Sequence, residues 1–188
     1  MRADYRPFEI GKRFRIIPPD VPVAIDDRIN LLMERGAFGS GEHETTCSCI
    51  EILESLPEIG GAKLLDLGSG TGILSIAALK LGAASACCID IEQDAVAACH
   101  RNCTMNGVDD RVRHLCGTLD SLTEDDFDLV LANIYGDILL DVAEGLVERA
   151  KPGAHILLSG ILWEYNFDVR QRYLNLGCRL IKNHLLDE

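Results

Sequence analysis

An aspartate at 66 stands two residues ahead of three alternating glycines, Gly68, Gly70 and Gly72, in the run K-L-L-D-L-G-S-G-T-G from Lys63 to Gly72. Glycine leaves room for a ligand to lie against the backbone and tolerates the positive φ that tight turns demand. Dinucleotide-binding turns read G-x-G-x-x-G, and the third glycine of that pattern would fall at Ile73. The turn, with Ser69 inside it, therefore reads as a cradle for a nucleotide-like ligand of another kind. The carboxylate of Asp66 suits a cationic amino-acid end and disfavours a pyrophosphate.

Further positions fit the same ligand. Asp90 closes the next apolar run, where a carboxylate at the strand tip can accept both hydroxyls of a ribose, with Ile91 beside it. Glu92 and Asp94 read instead as charges at the start of the following helix. Thr118 and Leu119 follow the third strand, where an adenine would lie; an ordinary turn is the alternative. Asn133 ends the apolar stretch Leu129 to Ala132, and at that edge its amide can face the reacting group rather than serve as a cap. Asn133 is the catalytic candidate, with Tyr135 at the substrate entrance. Phe38 and Gly39, with Thr45 and Thr46 at a helix start, suit the carboxylate of a bound amino acid. The alternative there is a loop with simple caps. His43, between Glu42 and Glu44, reads as structural or mouth-lining rather than as a base.

These residues need a frame that brings them to one edge. The patterning predicts strands over 63–67, 85–91, 112–116, 127–134, 154–159 and 179–186. Between them it predicts helices from 73 to 81, 93 to 105, 138 to 150 and 167 to 176, with Pro152 and Gly153 as a break. Residues 8–19 read as a short strand or hairpin, and 35–46 as a glycine-rich loop feeding a helix. Strand and helix in alternation mean an α/β, doubly wound, mostly parallel sheet. Ligands of such sheets bind outside the carboxyl ends of the strands, where the strand order reverses.

Length and composition narrow the partners. With 188 residues the chain fits a single domain, 1–188, in which 1–35 form an N-terminal extension. A net charge of −12 argues against nucleic acid and favours a basic protein partner. No apolar run approaches the ~20 residues of a membrane span. The first residues lack an apolar signal core, so a cytoplasmic location is expected. Eight cysteines without a C-x-x-C read as reduced, mostly buried thiols. A metal site from Cys99, Cys103 and His100 is set aside because His100 would leave the cysteine face, and no metal is expected.

The glycine turn resembles the S-adenosylmethionine-binding turn of class I methyltransferases. Longer strings are more specific: G-A-F-G-S-G-E-H-E-T-T (36–46), D-L-G-S-G-T-G-I-L-S-I-A-A-L-K-L-G-A (66–83), I-D-I-E-Q-D-A-V (89–96), D-L-V-L-A-N-I (128–134) and L-S-G-I-L (158–162). In that order they closely resemble the catalytic domain of ribosomal protein L11 methyltransferases, the PrmA family. The resemblance implies a class I, Rossmann-like fold and S-adenosylmethionine-dependent N-methylation of lysine or other amino groups of a protein. By resemblance the protein is a ribosomal one. It also implies that Thr46, Gly68, Asp90 and Asn133 contact the cofactor. A small-molecule methyltransferase, or a non-catalytic S-adenosylmethionine-binding module, would share every cofactor residue. Such folds insert a seventh strand between the fifth and sixth, and nothing after Glu188 supplies one. The expectation is a shortened chain, or a terminal strand 179–186 that shifts, pairs with a neighbouring molecule or packs loosely.

Overall fold

The computed structural model describes residues 6–22, 26–34 and 43–186. Five strands, β4 (Lys63–Leu67), β5 (Ser85–Asp90), β6 (Val112–Cys116), β7 (Phe127–Asn133) and β8 (Ala150–Ser159), form one sheet in the order β6-β5-β4-β7-β8. Every pairing in it is parallel. The order reverses beside β4, since β5 lies on one side of it and β7 on the other. That arrangement opens a crevice at the carboxyl edge between β4 and β7.

Burial on both faces explains the near-continuous apolar strands. Leu64, Ala86, Cys88, Leu129 and Leu131 face one core, together with α1 (Glu44–Ser55), α2 (Ile73–Lys80) and α3 (Gln93–Met105). Leu65, Cys87, Ile89, Val130 and Ala132 face the other. That second core is covered by α4 (Gly136–Asp141), α5 (Ala143–Arg149) and α6 (Trp163–Asn175). Residues Ile73 to Leu79 of α2 are all buried, because this helix is enclosed by the sheet and by its neighbours.

The N-terminal part forms a second sheet from β1 (Phe8–Ile10), β2 (Phe14–Ile17) and β3 (Ile29–Leu32). The first two are the antiparallel hairpin expected, while β3, absent from the sequence-based reading, pairs parallel to β2. Ile10, Phe14, Ile16, Leu31 and Met33 bury themselves in the core of α1 and α2. Asn102 of α3 and Asn106, the cap residue at its C-terminal end, tie this sheet down. The Asn106 amide accepts from Leu32 N–H at 3.0 Å and donates to Leu32 C=O at 2.7 Å. Asn102, fully buried, accepts from Glu34 N–H at 3.1 Å and donates to Thr71 C=O at 2.9 Å. It therefore links the end of the N-terminal sheet to the glycine turn. Asn102→Ala removes both of these hydrogen bonds from a fully buried position and should lower stability by about 2–4 kcal/mol in urea denaturation. A change below about 0.5 kcal/mol would show that water replaces the amide.

Four sequence expectations need correction. The helix expected over 138–150 is two, α4 and α5, broken at Val142, whose ψ of 1° re-aims the chain so that Leu139, Ala143 and Leu146 all reach the core. The strand expected from 154 starts at Ala150. Pro152 and Gly153 lie inside it, where β8 slips register against β7 between Phe127 and Leu129. A proline is tolerated there because β8 is an edge strand with no partner for the missing N–H. Helix α6 starts at Trp163, ahead of the expected 167. Finally, residues 178–186 form no strand. Gly177, at φ +89°, turns the chain after α6, and His184 Nδ1 meets Ser48 Oγ of α1 at 3.2 Å. The segment thus runs to α1 rather than along β8, and strand propensity without an aligned edge makes no ladder.

Candidate active site

Three glycines of the turn take positive φ: Gly68 at +72°, Gly70 at +53° and Gly72 at +78°. Space as well as conformation requires glycine at two of them. A Cβ on Gly72 would lie 2.5 Å from Cys99 Sγ, and one on Gly68 would collide with the Ile134 side chain. Gly68 and Ser69 donate their N–H groups to Ile89 C=O at 2.8 and 3.0 Å, which stitches the turn to the tip of β5.

Asp90 completes the stitch. Its Oδ2 accepts from Gly70 N–H at 2.8 Å and its Oδ1 from Glu92 N–H at 3.0 Å. Each carboxylate oxygen has two lone pairs, so both retain acceptor capacity. The backbone carbonyl of Asp90 accepts from Gly117 N–H at 2.9 Å, which brings the end of β6 alongside. Next to it the Ile91 side chain stands 67% exposed. Thr118 opens a short 3-10 turn, whereas the Leu119 side chain is buried in the second core, so only its backbone is available to a ligand.

Asp66 sits differently from the other acid. It is 2% exposed, and its Oδ2 accepts from Ser75 Oγ of α2 at 2.6 Å. Burial, reinforced by the Asp90 charge and opposed by the Ser75 hydroxyl, pushes its pKa up to about 6. A folded pKa above the unfolded one means a stability contribution that is full below about pH 3.8 and lost as pH rises through about 6. Asp66→Asn lacks that dependence. The stability of the parent relative to this variant should therefore fall by about 2 kcal/mol between pH 4 and pH 7. Urea denaturation across that range checks it, and a flat difference would mean that Asp66 titrates normally.

At β7 the Asn133 amide donates from Nδ2 to Thr46 Oγ1 at 3.5 Å, a long contact that joins the strand end to α1. Thr46 is buried, one residue after Thr45, whose hydroxyl meets His43 Nδ1 at 2.9 Å. Ile134 N–H donates to Ser159 C=O at 3.1 Å, and Gly160 follows with φ +78°. A Cβ on Gly160 would lie 2.8 Å from Ile134 O and 3.2 Å from Asn133 Oδ1. Cys49 packs against Ser159, and burial pushes its thiol up to about 11, so it is no thiolate nucleophile near neutral pH. Tyr135 is 63% exposed beyond the strand.

Strand ends β4, β5, β6 and β7 thus gather Gly68, Ser69, Gly70, Asp90, Ile91, Thr118 and Asn133 at one edge, with Thr46 reaching in from α1. Phe38 and Gly39 lie outside the described residues. A cleft of about 310 Å³ at the opposite, amino edge has little chemistry to offer. There Arg113 pairs with Glu124, and Lys63 is engaged by the Asp125 carbonyl and the Phe127 ring.

Residues 1–185 match the profile of the ribosomal protein L11 methyltransferase (PrmA) family. The chain belongs to that family. A ribosomal protein L11 methyltransferase of Trichlorobacter lovleyi is 41% identical over 179 residues, which cover 92% of this chain and 58% of that relative. The chain therefore spans less than two thirds of that relative's length. The crystal structure of a ribosomal protein L11 methylase from Lactobacillus delbrueckii subsp. bulgaricus superposes with a TM-score of 0.86 at 27% identity, covering 97% of this chain and 94% of the other. An RNA methyltransferase of Salinibacter ruber, solved with S-adenosyl-L-homocysteine, shares the fold at a TM-score of 0.54 and 24% identity, over 59% of this chain and 73% of its own. Among the described residues no helix is long and apolar enough to cross a membrane.

Sequence reasoning missed the residues that hold the candidate site in shape. Ser75, Asn102, Ser159 and Gly160 bind no ligand in that reading, yet they fix Asp66, the turn and Asn133. Ser75 left a trace inside the string 66–83, and Ser159 and Gly160 inside L-S-G-I-L, whereas Asn102 left none.

Proposed function

We propose that this chain is the S-adenosylmethionine-dependent methyltransferase unit of an enzyme that methylates amino groups of a ribosomal protein of the L11 kind. One observation carries the reading: the glycine turn is locked onto Asp90 at the sheet's switch point, beside the Asn133–Thr46 pair. Family membership supports the same cofactor and acceptor.

The residues present fit S-adenosylmethionine. Asp90 offers two anchored oxygens to a ribose diol, Ile91 an exposed apolar surface to adenine, and Thr118 with the Leu119 backbone its edge. The turn and Thr46 suit the amino-acid end. When bound, the sulfonium supplies an activated methyl group. The protein's own contribution is to position the acceptor amine in line and keep it neutral. A free lysine, with pKa ~10.4, must give up a proton at a cost of about 4.6 kcal/mol at pH 7. The Asn133 carbonyl can accept from the amine's N–H and so direct its lone pair. The acidic balance of −12 favours capture of a basic protein, and eight cysteines outside any disulfide suit the cytoplasm.

Two measurements on the purified chain test this. Calorimetry should give one equivalent of S-adenosylhomocysteine bound, and label from S-adenosylmethionine should enter ribosomal protein L11 but not an acidic control protein. Absence of binding would overturn the cofactor reading. Binding without label in any protein would overturn the acceptor.

A further inference from the structure

Away from the sheet's carboxyl crevice, four side chains with metal-ligating atoms converge where α3 packs against β6. His100 and Cys103 lie three residues apart on α3, hence on neighbouring positions of one helix face. Asp109 comes from the 3-10 turn Asp109–Arg111, and His114 is the third residue of β6. Asp109 reaches both imidazoles: His114 Nε2 at 2.8 Å from Oδ1, and His100 Nε2 at 3.3 Å from Oδ2. The two rings are 5.2 Å apart between centroids. One donor atom each from Cys103, Asp109 and His114 lie within 4.8 Å of one another.

We propose that His100, Cys103, Asp109 and His114 bind a divalent transition metal, zinc by preference, which clamps α3 to β6. Tetrahedral zinc with bonds of about 2.0–2.3 Å needs donors roughly 3.3–3.8 Å apart. Asp109 stands 2.8 Å from His114 Nε2 and 3.3 Å from His100 Nε2. The donors of Cys103, Asp109 and His114 lie within 4.8 Å of one another, so small side-chain movements close these three around an ion while the exposed His100 ring swings in from its contact with Asp109. Two imidazoles, a thiolate and a carboxylate form a set that suits zinc over magnesium or calcium, which prefer oxygen. Thiolate and carboxylate together neutralise a divalent ion. Cys103 is fully buried and the His114 side chain 11% exposed, whereas that of His100 is 59% exposed, so the ion enters from the His100 side. His114 Nδ1 is buried with no hydrogen-bond partner among the described residues, so the ring is held by its Nε2 side alone.

The whole set falls within fifteen residues, as H-x2-C-x5-D-x4-H. The trio of Cys99, Cys103 and His100 that the sequence analysis set aside does not assemble here: Cys99 packs beneath Gly72, and the neighbours of His100 and Cys103 come from the following turn and strand. The clamp has a structural consequence. Asn102, the neighbour of Cys103, holds Thr71 of the glycine turn, so fixing α3 also fixes the wall behind that turn. This proposal is independent of the methyl-transfer reading.

The test uses chain freed of metal by chelator and titrated with Zn²⁺ and with Co²⁺. Expected are one equivalent of Zn²⁺, a higher Tm with Zn²⁺, and a Co²⁺ spectrum with tetrahedral d–d and thiolate charge-transfer bands. His100→Ala, at an exposed position that the fold tolerates, should weaken Zn²⁺ by about 100-fold. Cys103→Ser should remove the charge-transfer band, with circular dichroism reporting that the chain is folded. Cys116→Ser, at an exposed thiol outside the set, should leave both unchanged. A Co²⁺ spectrum without thiolate bands, an affinity indifferent to His100→Ala, or a band lost with Cys116→Ser would each overturn the proposal.

Discussion

Asp90→Ala should weaken S-adenosylhomocysteine binding by at least about 100-fold in calorimetry. The loss has two parts that act together. Hydrogen bonds from a ribose diol to a charged carboxylate contribute about 1.5–3 kcal/mol each. The same carboxylate also holds Gly70 N–H at 2.8 Å and Glu92 N–H at 3.0 Å, so its removal frees the turn on one side and the start of α3 on the other. Asp90→Asn keeps one acceptor oxygen but not the charge, and should fall between the two. An Asp90→Ala variant that binds as tightly as the parent would take Asp90 out of the site altogether.

Gly160→Val should lower kcat for methyl transfer by about 100-fold or more while the chain stays folded. A branched residue resists φ +78°, and its Cβ would stand 2.8 Å from the Ile134 carbonyl oxygen. Backbone cannot rotate out of the way as a side-chain tip can, so residues 133 and 134 must move. Asn133 shifts with them, and a misplacement near 1 Å can cost about 100-fold. Ile134 also occupies the space that Gly68 leaves open, so the disturbance reaches the glycine turn. Single-turnover kinetics separate this from lost cofactor affinity, which should change less than kcat. An unaltered kcat would show that Gly160 is spacing only.

The sheet was legible because both of its faces are buried. Runs such as Leu64-Leu65 and Leu129-Val130-Leu131 are apolar at successive positions, and such runs separated by helices have few foldings other than a parallel sheet. The site was legible for a related reason. Glycines at 68, 70 and 72 and an acid at 90 are local signals, each tied to the end of a strand, and the fold class itself carries strand ends to one edge. What stayed illegible was whatever depends on a partner distant in sequence. Asn102 lies inside a helix pattern and Asn106 precedes Gly107 at its end, with no sequence signal of a distant partner, yet they hold backbone 31 to 74 residues away. Residues 179–186 carry strand propensity but follow Gly177 toward α1, because a strand exists only where an edge runs beside it.

By itself the sequence determined the fold class, the glycine cradle, Asp90 at a strand tip and Asn133 at another, since each follows from local periodicity and backbone sterics. Only the tertiary structure decided how the acids divide. Asp66, in the same motif as the glycines, turns into the core and bonds to Ser75, while Asp90 faces the crevice edge and holds Gly70. The physical reason is the two-residue period of a strand: Asp66 alternates with Leu65 and Leu67 and so projects onto the α2 side, where burial raises its pKa. Asp90 ends its strand, free of that alternation, where its oxygens meet N–H groups of the turn and of the chain entering α3. The tertiary structure likewise gathered Cys103, Asp109 and His114, with His100 against Asp109, because the packing of α3 on β6 brings together side chains that helix, turn and strand present separately.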